Sequence, residues 1–207
     1  KDIPQDLTYF AIDLNNTFTK YQNEFIERYY KPWDNDFQIN QFNFDFGEIY
    51  FSKKTYFGDN KQEITKQFKE ELFLNTNKEN FPSVYQNGIT IKNTNCRILP
   101  INKPFFSEFK SNGTGGYPFD YMQNSMLHIN TPIKVLHYSK DKAFAFIEAP
   151  YVSGWINSDD IAYLEDDKIN KIKSMKLVTL KNDDVSLIDT NDQFIQKGYI
   201  GAIFWKD

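Results

Sequence analysis

Apolar residues recur at helical spacing in the first part of the chain and at strand spacing in the second. Phe18, Tyr21, Phe25, Ile26 and Tyr29 fall on one face of a helix that Asn16 or Thr17 would cap and that should end before Pro32. Ile64, Phe68 and Leu72, four residues apart, predict a second helix capped by Asp59 or Asn60, with lysines and glutamates on its other side. Between them, residues 37–51 are rich in aromatics but fit neither period, and the reading is extended chain with Trp33 buried beneath it. Trp33, after Pro32, suits either core packing or a ligand platform, and packing is the commoner use of a large apolar ring.

From Ile89 the texture changes to short apolar runs separated by turn residues. Residues 89–91, 97–99, 133–138, 143–148 and 153–157 read as strands, with Ser139-Lys140-Asp141-Lys142 as a hairpin turn. One long excursion, residues 100–126, interrupts them. Residues 165–176, which carry Lys168, Lys171, Lys173 and Lys176, read as a charged linker, with contact to an anionic polymer as the alternative. Strand-like pieces resume at 177–180, 185–188 and 199–205. Several short strands with a long loop after the first suggest a small SH3-like barrel, which binds along that loop. The roughly thirty residues after the linker are too few to close a second barrel, and an apolar run at 199–205 would leave an exposed edge. The expectation is therefore that a longer protein has been cut.

The long excursion holds the most distinctive stretch, Gly115-Gly-Tyr-Pro-Phe-Asp-Tyr-Met-Gln-Asn-Ser125, which follows a run expected to be mobile, Ser111-Asn-Gly-Thr-Gly-Gly116. Glycines permit turns closed to other residues, Pro118 biases Tyr117 toward extended backbone, and rings on such a loop offer contact area at little entropic cost. Asp120, between Phe119 and Tyr121, is its only charge. Two roles are open: Phe119 and Tyr121 anchor the loop while Asp120 accepts bonds from turn amides, or the group faces a ligand and Asp120 accepts bonds from an amine.

Composition narrows the picture. The 207 residues include 20 Phe and 13 Tyr, and 40% are hydrophobic, which is enough for packed cores and excludes a disordered chain. A formal charge of -4, with Arg28 and Arg97 as the only arginines, argues against a nucleic-acid partner. No apolar run approaches the length that spans a bilayer. The single cysteine, Cys96, cannot form an intramolecular disulfide and leaves the redox compartment open.

No complete active site is legible. Cys96 enters a strand in Asn-Thr-Asn-Cys-Arg-Ile-Leu, whereas a catalytic thiolate favours a helix N-terminus and a nearby histidine; a half-buried apolar role fits better. His137 alternates onto the face of Ile133 and Val135, and should bond Ser139 or a backbone carbonyl. His128 has no partner in sequence, no zinc spacing occurs, and no cofactor motif is present. Asp34-Asn-Asp36 and Asp189-Thr-Asn-Asp192 lack the glycine and the glutamate of calcium loops and read as turns.

Certain stretches resemble a known family. Tyr29-Tyr-Lys-Pro-Trp33, Ile89-Thr90, Arg97-Ile-Leu-Pro100, Pro104-Phe105, Gly116-Tyr-Pro-Phe-Asp-Tyr121, Gln123, Ser125, Thr131-Pro132, His137-Tyr-Ser139, Gly154-Trp-Ile156 and Asp160-Ile-Ala162 look like the non-catalytic front half of multidomain NlpC-type cell-wall peptidases. The resemblance implies an α+β N-terminal clip domain over residues 1–92. It also implies an all-β SH3-like barrel over 93–166 and the beginning of a second SH3-like barrel over 167–207, with a C-terminal papain-like peptidase domain to follow. It implies an exported bacterial enzyme, a lipoprotein in many members, that cleaves peptidoglycan stem peptides between D-glutamate and the diamino acid. Carried onto this sequence, the surface for the free amino end of the stem peptide would be Tyr117, Asp120 and Tyr121. The family's catalytic cysteine with its Ser-Gly, and its histidine, have no match here, so activity is expected of the parent and not of this piece. A stand-alone envelope adaptor binding peptidoglycan or a protein through the same groove is the alternative.

Overall fold

The computed structural model describes residues 14–109 and 116–206, with side chains from Phe18 onward. Most of the run 111–116, expected to be mobile, lies outside the described residues.

Helix α1 (Leu14–Tyr30) passes into a 3-10 turn, Lys31–Trp33, where Pro32 stops it as anticipated. It begins before Asn16 and Thr17, so neither caps it. Residues 37–51 are not extended chain: Gln41–Ser52 is helix α2, capped by the Asn40 side chain, which accepts a bond from the Phe42 amide. Phe44, Gly47 and Phe51 are its buried positions, three and four residues apart, and the exposed Phe42, Phe46 and Ile49 blur that period in the sequence. Gly47 is required by a close approach, since a Cβ there would lie 2.4 Å from the Ile98 carbonyl oxygen.

Helix α3 (Lys66–Asn75) starts later than expected, with Thr65 as its cap. Asn60 instead accepts a bond from the Gln62 amide inside a tight turn, closed by a bridge between Phe57 and Glu63, so Ile64 precedes the helix.

Seven strands form one antiparallel sheet in the order β3-β2-β6-β5-β4-β1-β7. They are β1 (Gln86–Thr90), β2 (Thr94–Arg97), β3 (Gln123–Leu127), β4 (Pro132–Tyr138), β5 (Phe144–Glu148), β6 (Ser153–Asn157) and β7 (Ile161–Tyr163). Strand β3 lies in what reads as loop in the sequence; its polar residues Gln123, Asn124 and Ser125 hide the period. Inside the curved sheet, Cys96, Leu127, Ile133, Val135, Ala145, Ile147 and Ile156 form the core. On the outer face Leu136, Phe144, Phe146 and Trp155 pack against Phe44 of α2. Strands β4 and β5 are thus buried on both faces, as continuous apolar runs require.

His137 does not share the face of Ile133 and Val135. A bulge between Val135 and His137 inserts a residue into β4, which turns the imidazole outward against Phe44, Phe81 and Trp155 and sends Tyr138 toward the inner core. Its Nε2 lies 3.1 Å from the carbonyl oxygens of Thr76 and Asn77, so the bond to a backbone carbonyl is made, and burial lowers the imidazole pKa.

Residues 165–176 are not a linker. Helix α4 (Asp166–Ser174) carries Asp166 and Asp167 in its first turn and Lys171 and Lys173 in its last, the charges its dipole favours, and buries Ile169. Beyond it, β8 (Lys176–Thr179) pairs with β11 (Ile203–Lys206), and β9 (Val185–Ile188) with β10 (Phe194–Gly198). Only the end of the run 199–205 is strand, because Tyr199 to Ala202 makes a turn.

Trp33 is buried, but not beneath α2. It stacks on Tyr30, lies against Trp205, and donates from Nε1 to the Gly88 carbonyl at 3.0 Å. Trp205 in turn donates to the Tyr30 hydroxyl. This aromatic seam joins the start of the chain, the sheet and the last ribbon.

Replacing Gly47 by Ala sets a helix-propensity gain of about 1 kcal/mol against overpacking of about 1–3 kcal/mol on a backbone atom that cannot rotate away. The clash should win: urea unfolding of Gly47→Ala is expected to show a lower midpoint, by roughly 1 kcal/mol or more, with an unchanged slope.

Candidate functional site

The loop that precedes β3 is held by one buried cation. Arg97, at the end of β2, has a side chain 4% exposed. Its Nε donates to the Ile101 carbonyl at 2.9 Å, and one terminal nitrogen donates to the Lys103 carbonyl at 2.8 Å. The other reaches Asp120 Oδ2 at 2.6 Å and Gln123 Oε1 at 2.8 Å. Asp120 Oδ1 accepts from the amides of Phe105 and Met122 at 3.0 and 2.9 Å. The carboxylate thus has three donors, and one lone-pair position on Oδ2 is left.

Around this tie the loop folds back on residues 105–109. The Tyr117 amide donates to the Glu108 carbonyl, the Tyr121 amide to that of Phe105, and the Phe119 amide to that of Gly116. Gly116, at φ +84°, occupies the left-handed region that this turn needs, and it abuts Glu108. Tyr117, 59% exposed, stacks on Phe109 at 5.6 Å and leans on the buried Phe106 at 5.3 Å. Lys61 sits over the Phe109 ring. Tyr121 is half-buried against Tyr56, whereas Phe119 is 66% exposed. Of the two proposed anchors only Tyr121 packs inward, and Asp120 bonds turn amides and a cation together.

The result is an open surface of rings and one tethered carboxylate. Beside it, Ile64, Phe68, Lys103, Pro104 and Phe105 with the turn at 58–63 line a groove of about 200 Å³. Phe106 and Phe109 were missed by sequence reasoning, as was Arg97 as the partner of Asp120. An arginine entering an apolar strand, in a chain that holds only two, was the available signal.

Cys96 is fully buried in the inner core, and burial pushes its thiol up to about 12, the reverse of what a nucleophile needs. His128 lines a cleft against α1. Asp189 accepts from the amides of Asn191 and Gln193 in a turn. Among the described residues no group of three His, Cys, Asp or Glu is placed to hold a metal ion. Nor is any helix among them long and apolar enough to cross a membrane.

Residues 1–81 match the family model described as the NLPC_P60 stabilising domain, N term, and residues 104–157 match that of the SH3 domain of the SH3b1 type. The chain carries the N-terminal, non-catalytic part of an NlpC/P60 protein. The SH3 segment contains the ring-bearing loop and β3 to β6. This part superposes over 100% of its length on a solved structure titled as a novel NlpC/P60 endopeptidase from Photobacterium damselae subsp. piscicida, with a TM-score of 0.83 and 24% identity. It spans 51% of that chain. No curated protein matches it.

Two outcomes follow from these contacts. Asp120→Ala strips a buried guanidinium of its counter-charge and should cost about 3–5 kcal/mol in urea unfolding, while an exposed neighbour such as Phe119→Ala should cost less than about 1 kcal/mol. Iodoacetamide at pH 8 should leave native Cys96 unmodified over a period in which the urea-unfolded chain reacts fully, as intact mass would record.

Proposed function

We propose that this chain is the accessory region of an exported cell-wall hydrolase of the NlpC/P60 type, and that its ring-bearing loop shapes the groove in which a peptidoglycan stem peptide is cut. The observation that carries this reading is the succession of a stabilising domain and an SH3b1-type domain along a chain whose whole length follows the fold of an NlpC/P60 endopeptidase. Catalysis would belong to a separate peptidase domain. The cleaved bond is proposed to be the one between D-glutamate and the diamino acid.

In this reading Tyr117 and Tyr121 form the walls for the free amino end of the peptide. An ammonium group would take the remaining lone-pair position of Asp120 Oδ2, and the exposed ring of Tyr117 on the same loop would offer it an aromatic contact. Arg97 then has a second effect. It holds Asp120 in place, so little ordering has to be done when the ligand arrives.

The test uses the complete enzyme and two substrates, a stem peptide with a free amino end and the same peptide acetylated there. Tyr117→Ala should lower kcat/KM for the free peptide by about fivefold to tenfold, the scale of one aromatic and cation-π contact, and leave the acetylated peptide nearly unaffected. Equal effects on both substrates, or none on either, would remove the loop from the substrate site.

A further inference from the structure

A second concavity lies away from the loop, where α1, the turn before β4, the turn before β6 and β11 meet. It encloses about 330 Å³ and is walled by the rings of Phe25, Tyr29 and Tyr151. The hydroxyls of these tyrosines are already used, Tyr29 donating to the Asn130 carbonyl and Tyr151 to that of Met126. Thr131 likewise spends its hydroxyl on the His128 carbonyl. Two polar side chains lining the cleft remain. The Arg28 guanidinium reaches the cleft from the exposed side of α1, and His128 Nδ1 is buried without a partner among the described residues. No carboxylate lines the cleft, and Asp183, whose charge acts on His128, is bonded by the Ile200 amide.

This cleft adjoins an apolar one of about 400 Å³. The two share Phe25, Gly201 and Ile203, and the second adds Ile26, Leu177 and Val178. A guanidinium and an imidazole beside an apolar arm of this size suit a small-molecule site with a polar end and an apolar body. A planar guanidinium meets a carboxylate with two parallel bonds, and the arm suits an apolar body behind it.

We propose that this cleft binds a carboxylate carrying an apolar body, with Arg28 and His128 on the carboxylate and Phe25, Val178 and Ile203 on the body. Both a fatty acid and a peptide C-terminus with an apolar last residue have this chemistry. The proposal is independent of the stem-peptide reading, because none of these residues belongs to the loop around Asp120.

Amide shifts of the 207-residue chain should be followed by NMR while hexanoate, decanoate or N-acetyl-leucine is added, with hexylamine and hexanol as controls. Saturable shifts at His128, Gly201 and Val178 are expected with the carboxylates, at affinities about tenfold or more above those of the amine and the alcohol. A gain from hexanoate to decanoate would point to an acyl chain as the source, and a preference for N-acetyl-leucine to a peptide terminus. Arg28→Gln, at an exposed position that should not disturb folding, is expected to weaken hexanoate by about tenfold. His128→Asn should weaken it as well, and Val178→Asp should abolish the response to decanoate. Equal binding of hexanol and hexanoate, hexanoate binding unchanged in Arg28→Gln, or no shifts at these residues would overturn the assignment.

Discussion

Arg97 is the side chain on which the ordered part of this loop depends. A guanidinium buried at the end of β2 must satisfy its donors or lose several kcal/mol of solvation, and here it makes four bonds, two to carbonyls just beyond β2 and two to side chains at the far end of the excursion. Residues 101 and 103 supply carbonyls, and Asp120 and Gln123 supply side-chain oxygens. Because Asp120 also accepts from Phe105 and Met122, one ion pair fixes both limbs of the excursion between β2 and β3. The exposed ring of Tyr117 is held at a set place on a segment with little regular structure, which is what a recognition loop needs from its scaffold.

The N-terminal helices perform a comparable service for the sheet as a whole. Strands β4 and β5 present apolar residues on both faces, so the sheet cannot stand with one face in water. Helix α2 covers the outer face with Phe44 and satisfies the buried Glu148 through the Asn43 side chain at 3.0 Å. The seam of Tyr29, Tyr30, Trp33, Ile169 and Trp205 then ties α1, α4 and the last ribbon to β1 at Gly88. The helical segment and the SH3-type segment therefore share the cores outside the sheet, whereas the inner core belongs to the sheet alone.

Legibility in the sequence followed from how cleanly each element separates its two faces. Strands β4 and β5 read correctly because their apolar residues are dense and end at turn residues, and β6 because Trp155 and Ile156 lie between turn residues. Helix α2 was hidden because Phe42, Phe46 and Ile49 leave its outer side apolar, and β3 because it is almost wholly polar. Helix α4 has only two isoleucines to mark its buried side, although its end charges carried the signal. The bulge in β4 left no trace in composition, yet it reverses where His137 and Tyr138 point. Of the candidate site, the aromatic loop and the dual nature of Asp120 were legible. Its partner Arg97 and the rings of Phe106 and Phe109 were not, because contacts between distant segments depend on register that local patterns do not encode.

Amide hydrogen exchange at Phe105 and Met122 tests the central claim most directly, since both amides donate to Asp120. If the Arg97–Asp120 tie organises the loop, these two should exchange only with global unfolding, at the free energy measured for Ile147 in the core of β5. Exchange several orders of magnitude faster, matching an exposed amide such as Tyr163, would mean that the loop opens independently of the sheet. The ring surface could then not be a preformed one.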